Sequence, residues 1–355
     1  MLRFEVFQHS ESLAQQRELF RDCFPETEGS AMQGSAHYHW KFHQFPDARP
    51  SSEYAAWDQD QLVGYYAAIP YRYRVFGEPA RSAMVCDVMT HSSARGKGIF
   101  TKLGAFSVKA LSDEGWDFSI GYPIRPEVVP GHLKVGWKVA FELPMYLKPL
   151  RTNRLLASKN LQLLAPLANL GCWIFNLLTR GQVASGYVAR TLSIQDLVSH
   201  PGLSPFVENW QSSLPISLDK SAAFLQWRLG APESRYQATI VEREQRIVAL
   251  AITRTCELKG IPALAVLDFM VTPGEDASLG ALHRELERFA GQESREAVCG
   301  IWSRTWAARY RLSRHGFLRT PFVFRVILRP LARAFGDEFF RESNWHLMWL
   351  DSDDL

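Results

Sequence analysis

The chain has 355 residues, of which 46% are apolar and 12% aromatic, and its 40 basic and 37 acidic side chains leave a formal net charge of +3. That is enough apolar material to build cores for two ordinary domains, and the balanced charge, with no dense Lys/Arg run, argues against a nucleic-acid groove. Cys23, Cys86, Cys172, Cys256 and Cys299 show neither metal-type spacing nor a disulfide framework, and residues 1–6 lack a secretory pattern, so a reducing cytoplasm is the expected compartment.

In chain order, His37, His39 and His43 first surround Trp40; with no carboxylate paired to them they read as an aromatic packing segment, and no metal is expected. Residues 53–57 and 62–69, across the polar turn Asp58-Gln59-Asp60, predict a hairpin, and residues 71–76 and 82–89 predict two further strands of a mostly antiparallel sheet. Next comes Arg95-Gly96-Lys97-Gly98-Ile99-Phe100, a double-glycine turn that aims several backbone N–H groups into one concavity at a helix start, a place suited to phosphate oxygens. Ile99, Leu103, Phe106 and Ala110 then recur at helical spacing up to Asp113-Glu114-Gly115. A buried strand over 117–122, a helix over 128–135 stopped by Gly136, and a strand over 139–147 that closes the domain complete the first half.

Residues 161–178, LQLLAPLANLGCWIFNLL, are strongly apolar but carry Gln162, Asn169 and Asn176 and are interrupted by Pro166 and Gly171. A spanning helix needs about 20 predominantly apolar residues, so buried interdomain helices, or a helical hairpin broken near Pro166, are expected. The flanking Arg151, Arg154, Lys159 and Arg180 leave peripheral contact with a membrane as the alternative.

A long-period repeat follows. Trp40-Lys41 with Pro46 recurs as Trp227-Arg228 with Pro232, Gly77-Glu78-Pro79 as Gly260-Ile261-Pro262, and Asp87 with Thr90 as Asp268 with Thr272. Gly136-Trp137 recurs as Gly316-Phe317, and Leu147-Lys148-Pro149-Leu150 as Leu328-Arg329-Pro330-Leu331, all in order and at nearly one offset. This predicts two copies of one domain, residues 1–150 and 187–332, with an apolar helical connector over 151–186 and a tail over 333–355 that packs without chemistry. In the second copy the glycine turn becomes Thr272-Pro273-Gly274-Glu275-Asp276-Ala277-Ser278-Leu279-Gly280, where Glu275 and Asp276 would repel an anion.

The first copy resembles the core of the GCN5-related N-acetyltransferases, the GNAT superfamily. Ser93-Ala94-Arg95-Gly96-Lys97-Gly98 is similar to that family's pyrophosphate loop, Gln/Arg, two residues, Gly, one residue, Gly/Ala, with Ser93 in place of Gln or Arg. His132-Leu133-Lys134-Val135-Gly136-Trp137 resembles its closing Tyr-x-x-x-Gly-Phe signature, with His132 in place of Tyr. The layout is similar to bacterial tandem-GNAT acyltransferases. The resemblance implies an α+β fold of two tandem GNAT-like domains, each a mixed, mostly antiparallel sheet flanked by helices, the second degenerate, and direct acyl transfer from coenzyme A to an amine.

Under that resemblance the backbone of Arg95, Gly96, Lys97, Gly98, Ile99 and Phe100 would hold the pyrophosphate of acetyl-CoA or another acyl-CoA, the cosubstrate. Val88, Met89 and Thr90 would bond the pantetheine and the developing oxyanion. The acceptor ammonium needs a proton acceptor. Asp87, inside the apolar run Met84-Val85-Cys86-Asp87-Val88, is one candidate because burial should raise its pKa, with His91 second. His132 or Tyr122 would reprotonate the departing thiolate, although each could instead simply pack beside the cosubstrate. The acceptor is expected to be a small amine, such as an amino sugar. The alternative is a non-catalytic acyl-CoA sensor or a membrane-associated interaction protein.

Overall fold

Inward-facing apolar residues at alternate positions build the first sheet, and the computed structural model describes residues 2–233 and 235–353. In chain order these are β1 (Leu2–Val6), α1 (His9–Cys23), α2 (Ser35–His43), β2 (Ser52–Asp58), β3 (Gln61–Val75), β4 (Glu78–Thr90), α3 (Ile99–Asp113), β5 (Phe118–Gly121), α4 (Val129–Lys134) and β6 (Lys138–Pro149). The separate strand expected over 71–76 is the continuation of β3. Pro70 lies beyond the last β2 pairing, Ser52 with Ala68, so its missing N–H removes no ladder bond on that side.

The chain divides into two units, the first being Met1–Phe141, Ala223–Ser234 and Arg325–Arg341. Its strands β1 to β4 are antiparallel neighbours, and β4 then pairs parallel with β5, from Ser82↔Phe118 to Val85↔Gly121. One face of this sheet, with Tyr54, Ala56, Val63, Tyr66 and Val85, buries against Ile99, Leu103 and Leu111 of α3 and against Trp137 and Ile327. The other edge of β5 pairs antiparallel with Ile327–Pro330, far along the chain. Sequence reasoning gives that place to residues 139–147. The strand is formed, as β6, but Met145–Pro149 lies in the second unit and pairs with Ala297–Ile301 there. The two closing strands share the pattern Leu-Lys/Arg-Pro-Leu, at 147–150 and 328–331, so the pattern of either suits either sheet.

The second unit is Glu142–Ala222, Arg235–Phe324 and Glu342–Leu355. Onward from β6 the chain forms α5 (Asn153–Ala157), α6 (Ala165–Leu178), β7 (Tyr187–Leu192), α7 (Ile194–Val198), α8 (Leu203–Ser212), β8 (Ile216–Leu218), α9 (Ala222–Leu229), β9 (Tyr236–Arg243), β10 (Arg246–Leu258) and β11 (Ile261–Val271). Then come α10 (Leu279–Gln292), β12 (Ala297–Ile301), α11 (Arg304–Arg309), β13 (Leu318–Pro330) and β14 (Trp345–His346). From β9 the order, three antiparallel strands, a helix, a parallel strand and a short helix, matches that from β2 to α4.

The apolar segment differs from expectation. Pro166 sits in the first turn of α6, where its missing N–H has no helical partner to lose, so it starts the helix rather than breaking it. No residue of α6 is buried.

Candidate functional site

The glycine turn is built by its anchors. At the C-terminal end of α1, the Asp22 carboxylate accepts bonds from the Ser92 N–H and hydroxyl, both at 2.8 Å, and His91 Nδ1 lies 2.8 Å from the Ser93 hydroxyl. His91 thus fastens the turn at 92–94. Gly96 and Gly98 take left-handed φ values of 78° and 73°, which a side chain resists, and the latter caps α3. A Cβ at Gly96 would meet nothing within 4 Å. Among the described residues, none of the backbone N–H groups from Gly96 through Thr101 finds a protein acceptor. A row of donors at a helix start, open to solvent and free of side chains, is a cradle for an anion. Arg95 and Lys97 are exposed beside it, while the Ile99 side chain is in the core and Phe100 packs edge-on to His132 at 5.1 Å.

The strand that leads into this turn is irregular where the resemblance needs it to be. Tyr65 pairs with Met89 but Ala67 with Cys86, so Asp87 and Val88 together oppose Tyr66 in a β-bulge, and Asp87 adopts a φ of 46°. Pairing of β4 with β5 ends at Val85, so the backbone of Val88, Met89 and Thr90 has β3 on one side and, among the described residues, no strand of the first unit on the other. The Thr90 hydroxyl is buried without a partner among the described residues. A splayed parallel pair of this kind leaves one strand edge available to an added extended group.

Around the bulge lie buried ionisable groups. Asp87 accepts from the Lys41 ammonium at 2.8 Å, with both side chains less than a tenth exposed. Burial alone would raise the Asp87 carboxyl, as the sequence predicts, but Lys41, Arg17 and His37 outweigh it and hold it below the usual carboxylate range. This corrects the expectation of a raised pKa. In the second unit the repeat equivalent, Asp268, is also buried and lies 2.6 Å from the ammonium of Lys220.

Glu53 is the group that sequence reasoning missed. On β2 it is buried, accepts hydrogen bonds from the Tyr38 and Tyr65 hydroxyls, and is pushed up to about 6 by burial, which outweighs those bonds. His43 Nε2 lies 3.5 Å from its other oxygen, and the His9 ring, tilted by 41°, has its centroid 4.2 Å from that of His43, so two imidazoles lie between the carboxyl and the surface. The available signal was the alternation Glu53, Ala55, Trp57, which places a lone carboxylate on an inward face.

The two proposed proton donors differ. His132 is buried between Phe100 and Trp137, and burial lowers it to about 4, so it is neutral at physiological pH. Tyr122, 9% exposed, follows Gly121 at the end of β5, just beyond the point where β4 and β5 separate. Gly136 has a φ of 87°, and a Cβ there would lie 1.7 Å from the Arg329 guanidinium, so that side chain covers the helix end that the glycine stops.

The corresponding turn of the second unit is closed. A Cβ on Gly280 would lie 1.9 Å from the Gln182 carbonyl oxygen, so the backbone at 181–182 covers the start of α10. Glu275 accepts from the Tyr187 hydroxyl at 2.6 Å and pairs with Arg243 at 3.3 Å.

Residues 8–140 match the family model described as "Acetyltransferase (GNAT) domain". No curated protein sequence matches the chain. Among solved structures, a GCN5-related N-acetyltransferase from Anabaena variabilis ATCC 29413 is similar over 93% of this chain and 73% of its own, at a TM-score of 0.67 and 12% identity. A conserved protein from Enterococcus faecalis V583 is similar over 94% and 73%, at 0.63 and 12%. A GCN5-related N-acetyltransferase from Kribbella flavida is similar over 94% and 71%, at 0.60 and 15%. At these identities the similarity is one of fold.

Proposed function

Since the chain is an N-acetyltransferase of the GNAT superfamily through its residues 8–140, we propose that it transfers an acyl group, acetyl by default, directly from coenzyme A to a small amine, such as an amino sugar. The observation that carries this reading is the open row of backbone donors from Gly96 to Thr101 beside the free edge of β4. The pyrophosphate takes those donors, with Arg95 and Lys97 adding charge-assisted contacts. Pantetheine lies along Val88, Met89 and Thr90, and a backbone N–H there stabilises the oxyanion that forms as the amine nitrogen attacks the thioester carbon.

The amine must lose a proton as the C–N bond forms and the C–S bond breaks. Glu53, poised near 6 and connected outward through His43 and His9, is the acceptor we assign, directly or through water. Asp87, held as a carboxylate by Lys41, positions the bulge rather than taking the proton. The thiolate leaves readily and takes a proton from Tyr122 or from water. In this reading the second unit is a degenerate copy from a tandem duplication, and with residues 181–182 over its turn it offers no cradle. The compartment we assign is the cytoplasm.

Thermal shift with acetyl-CoA and longer acyl-CoAs, on the wild type and on Gly96→Asp, tests the cradle, and thiol release tests the chemistry. The proposal expects stabilisation of the wild type, its loss in the variant, and release that depends on added amine. Equal stabilisation of both proteins overturns the site, and binding without release for every amine overturns the reaction.

A further inference from the structure

Helix α6 has its amphipathic character reversed. Its protein-facing side carries Asn169 and Asn176: Asn169 Oδ1 accepts from the Thr152 N–H at 2.9 Å, and Asn176 Nδ2 donates to the Pro149 carbonyl at 2.9 Å. Outward, Leu167, Leu170, Ile174 and Leu177 follow at spacings of three, four and three residues, one continuous stripe. These residues are not marginally exposed: Leu167 is 71% accessible, Leu170 52%, Ile174 44% and Leu177 53%, and Trp173 and Leu178 beside them are 61% and 80%. An exposed apolar patch of this size marks an interaction surface.

Charge says what covers it. From Leu143 to Gln195 the chain contains no Asp or Glu, while Arg151, Arg154, Lys159 and Arg180 are all exposed around the helix and form no ion pair among the described residues. Glu287, which lines the groove beside Arg151 and Trp173, is neutralised by Lys148 at 2.7 Å. A second copy of the chain docked on the same stripe would bring two cationic rims together, which disfavours it. Among the described residues, no helix is long and apolar enough to cross a bilayer.

We propose that α6 lies in the surface of an anionic lipid bilayer, its leucine stripe and Trp173 in the headgroup and acyl boundary and the four cations on anionic headgroups. A helix of this kind inserts its apolar face by about 5–10 Å. Its other face, which normally carries the polar residues exposed to water, is here docked through Asn169 and Asn176 onto the protein, so the helix is held ready rather than folding on contact. The inference stands apart from the acyl-transfer reading.

The test is flotation of the full chain with vesicles of phosphatidylcholine alone and of phosphatidylcholine mixed with phosphatidylglycerol. Binding is expected with the mixed vesicles and not with the neutral ones, and it should weaken as salt is added. Removing a single cation, as in Arg154→Gln, should lower partitioning roughly fivefold, the equivalent of about 1 kcal/mol per basic residue near such a surface. Leu170→Glu should abolish it, with an unchanged melting temperature showing that the variant folds. A folded wild type that stays unbound with mixed vesicles overturns the proposal. So does binding that both variants retain, or sedimentation showing a dimer that Leu170→Glu dissociates.

Discussion

Trp40 and Trp227 stack at 5.2 Å, and each donates its indole N–H to the other's backbone carbonyl, at 2.8 and 2.9 Å. Both lie in the first unit, 187 residues apart in the chain, and their bonding is reciprocal. Phe45 packs edge-on to Trp227 at 4.7 Å, so the pair is part of the buried aromatic core of the first unit. Replacing Trp227 by Phe leaves the buried Trp40 carbonyl without its indole donor, at a cost of about 1–3 kcal/mol, whereas in Trp40→Phe the Trp227 carbonyl still accepts from the Gly230 N–H at 3.1 Å. Trp227→Phe should therefore melt lower than Trp40→Phe, and the double variant should lose less than the sum, because the stack is broken once. Thermal denaturation checks this; additive losses would mean the two bonds act independently.

Glu53 carries a prediction about pH. Its folded-state pKa of about 6 lies above the ordinary 4.5, so between those values the folded protein holds the extra proton and stability falls as pH rises, reaching its full penalty above pH 6. That penalty is about 2 kcal/mol. Glu53→Gln keeps an acceptor for Tyr38 or Tyr65 and removes the charge, so it should melt no lower than the wild type at pH 7. As the proton acceptor, Glu53 should also give kcat/KM an acid limb near pH 6. The variant should lose the limb and about 100-fold or more in rate. A limb that persists in Glu53→Gln assigns the proton to another group.

Asp87 and Lys41 should behave in the opposite way. Removing one partner of a buried ion pair strands the other charge, a loss of about 3–5 kcal/mol. Lys41→Met should therefore melt far lower than the wild type, while Asp87→Asn, which tolerates the left-handed φ of 46° and still accepts from the ammonium, should lose less. Neither should move the acid limb of kcat/KM. A limb lost in Asp87→Asn alone would return the role of proton acceptor to that carboxylate.

Much of this was legible before any coordinates. The run from the 53–57 hairpin to the helix after Gly98, and the helix end at Gly136, follow from period-2 and helical patterning with glycine at the turns, which is local information. What stayed hidden was tertiary. Nothing in the alternation of residues 139–147 says that Met145–Pro149 joins β12 while Ile327–Pro330 joins β5, because both strands carry the same Leu-Lys/Arg-Pro pattern. Asp87 was recognised as buried, but the sign of its pKa shift depended on Lys41, 46 residues away. Likewise, the apolar run over 161–178 suggested burial, since sequence cannot show that its two asparagines take the inward positions.

Acid should weaken the fold through its histidines. His37, His132 and His315 are buried and lowered to about 4, each chiefly by burial, so between pH 6.5 and 4 the unfolded chain binds protons that the folded one refuses. Stability is whole above pH 6.5 and declines as pH falls toward 4, against the smaller opposite trend from Glu53. His132 alone accounts for about 3 kcal/mol at the bottom of that window. His132→Leu, which fills the site between Phe100 and Trp137 with an apolar group, should flatten the fall of melting temperature with acid. A slope parallel to the wild type would show that His132 is protonated in the folded state.

The exchange of closing strands makes the halves interdependent. A fragment of residues 1–150 contains all of β1 to β5 but lacks Ile327–Pro330, so one edge of β5 is left unpaired and Ile327 is missing from the core beside Trp137. An uncovered edge strand recruits other chains. Produced alone, residues 1–150 should aggregate or melt far below the full chain, and residues 151–355, whose β12 loses Met145–Pro149, should do the same. Co-expressed, the two fragments should purify together with a melting temperature close to that of the intact protein, because each supplies the strand the other lacks. A fragment 1–150 that folds cooperatively by itself, with β6 beside β5, would show that the exchanged pairing contributes little to the stability of the first sheet.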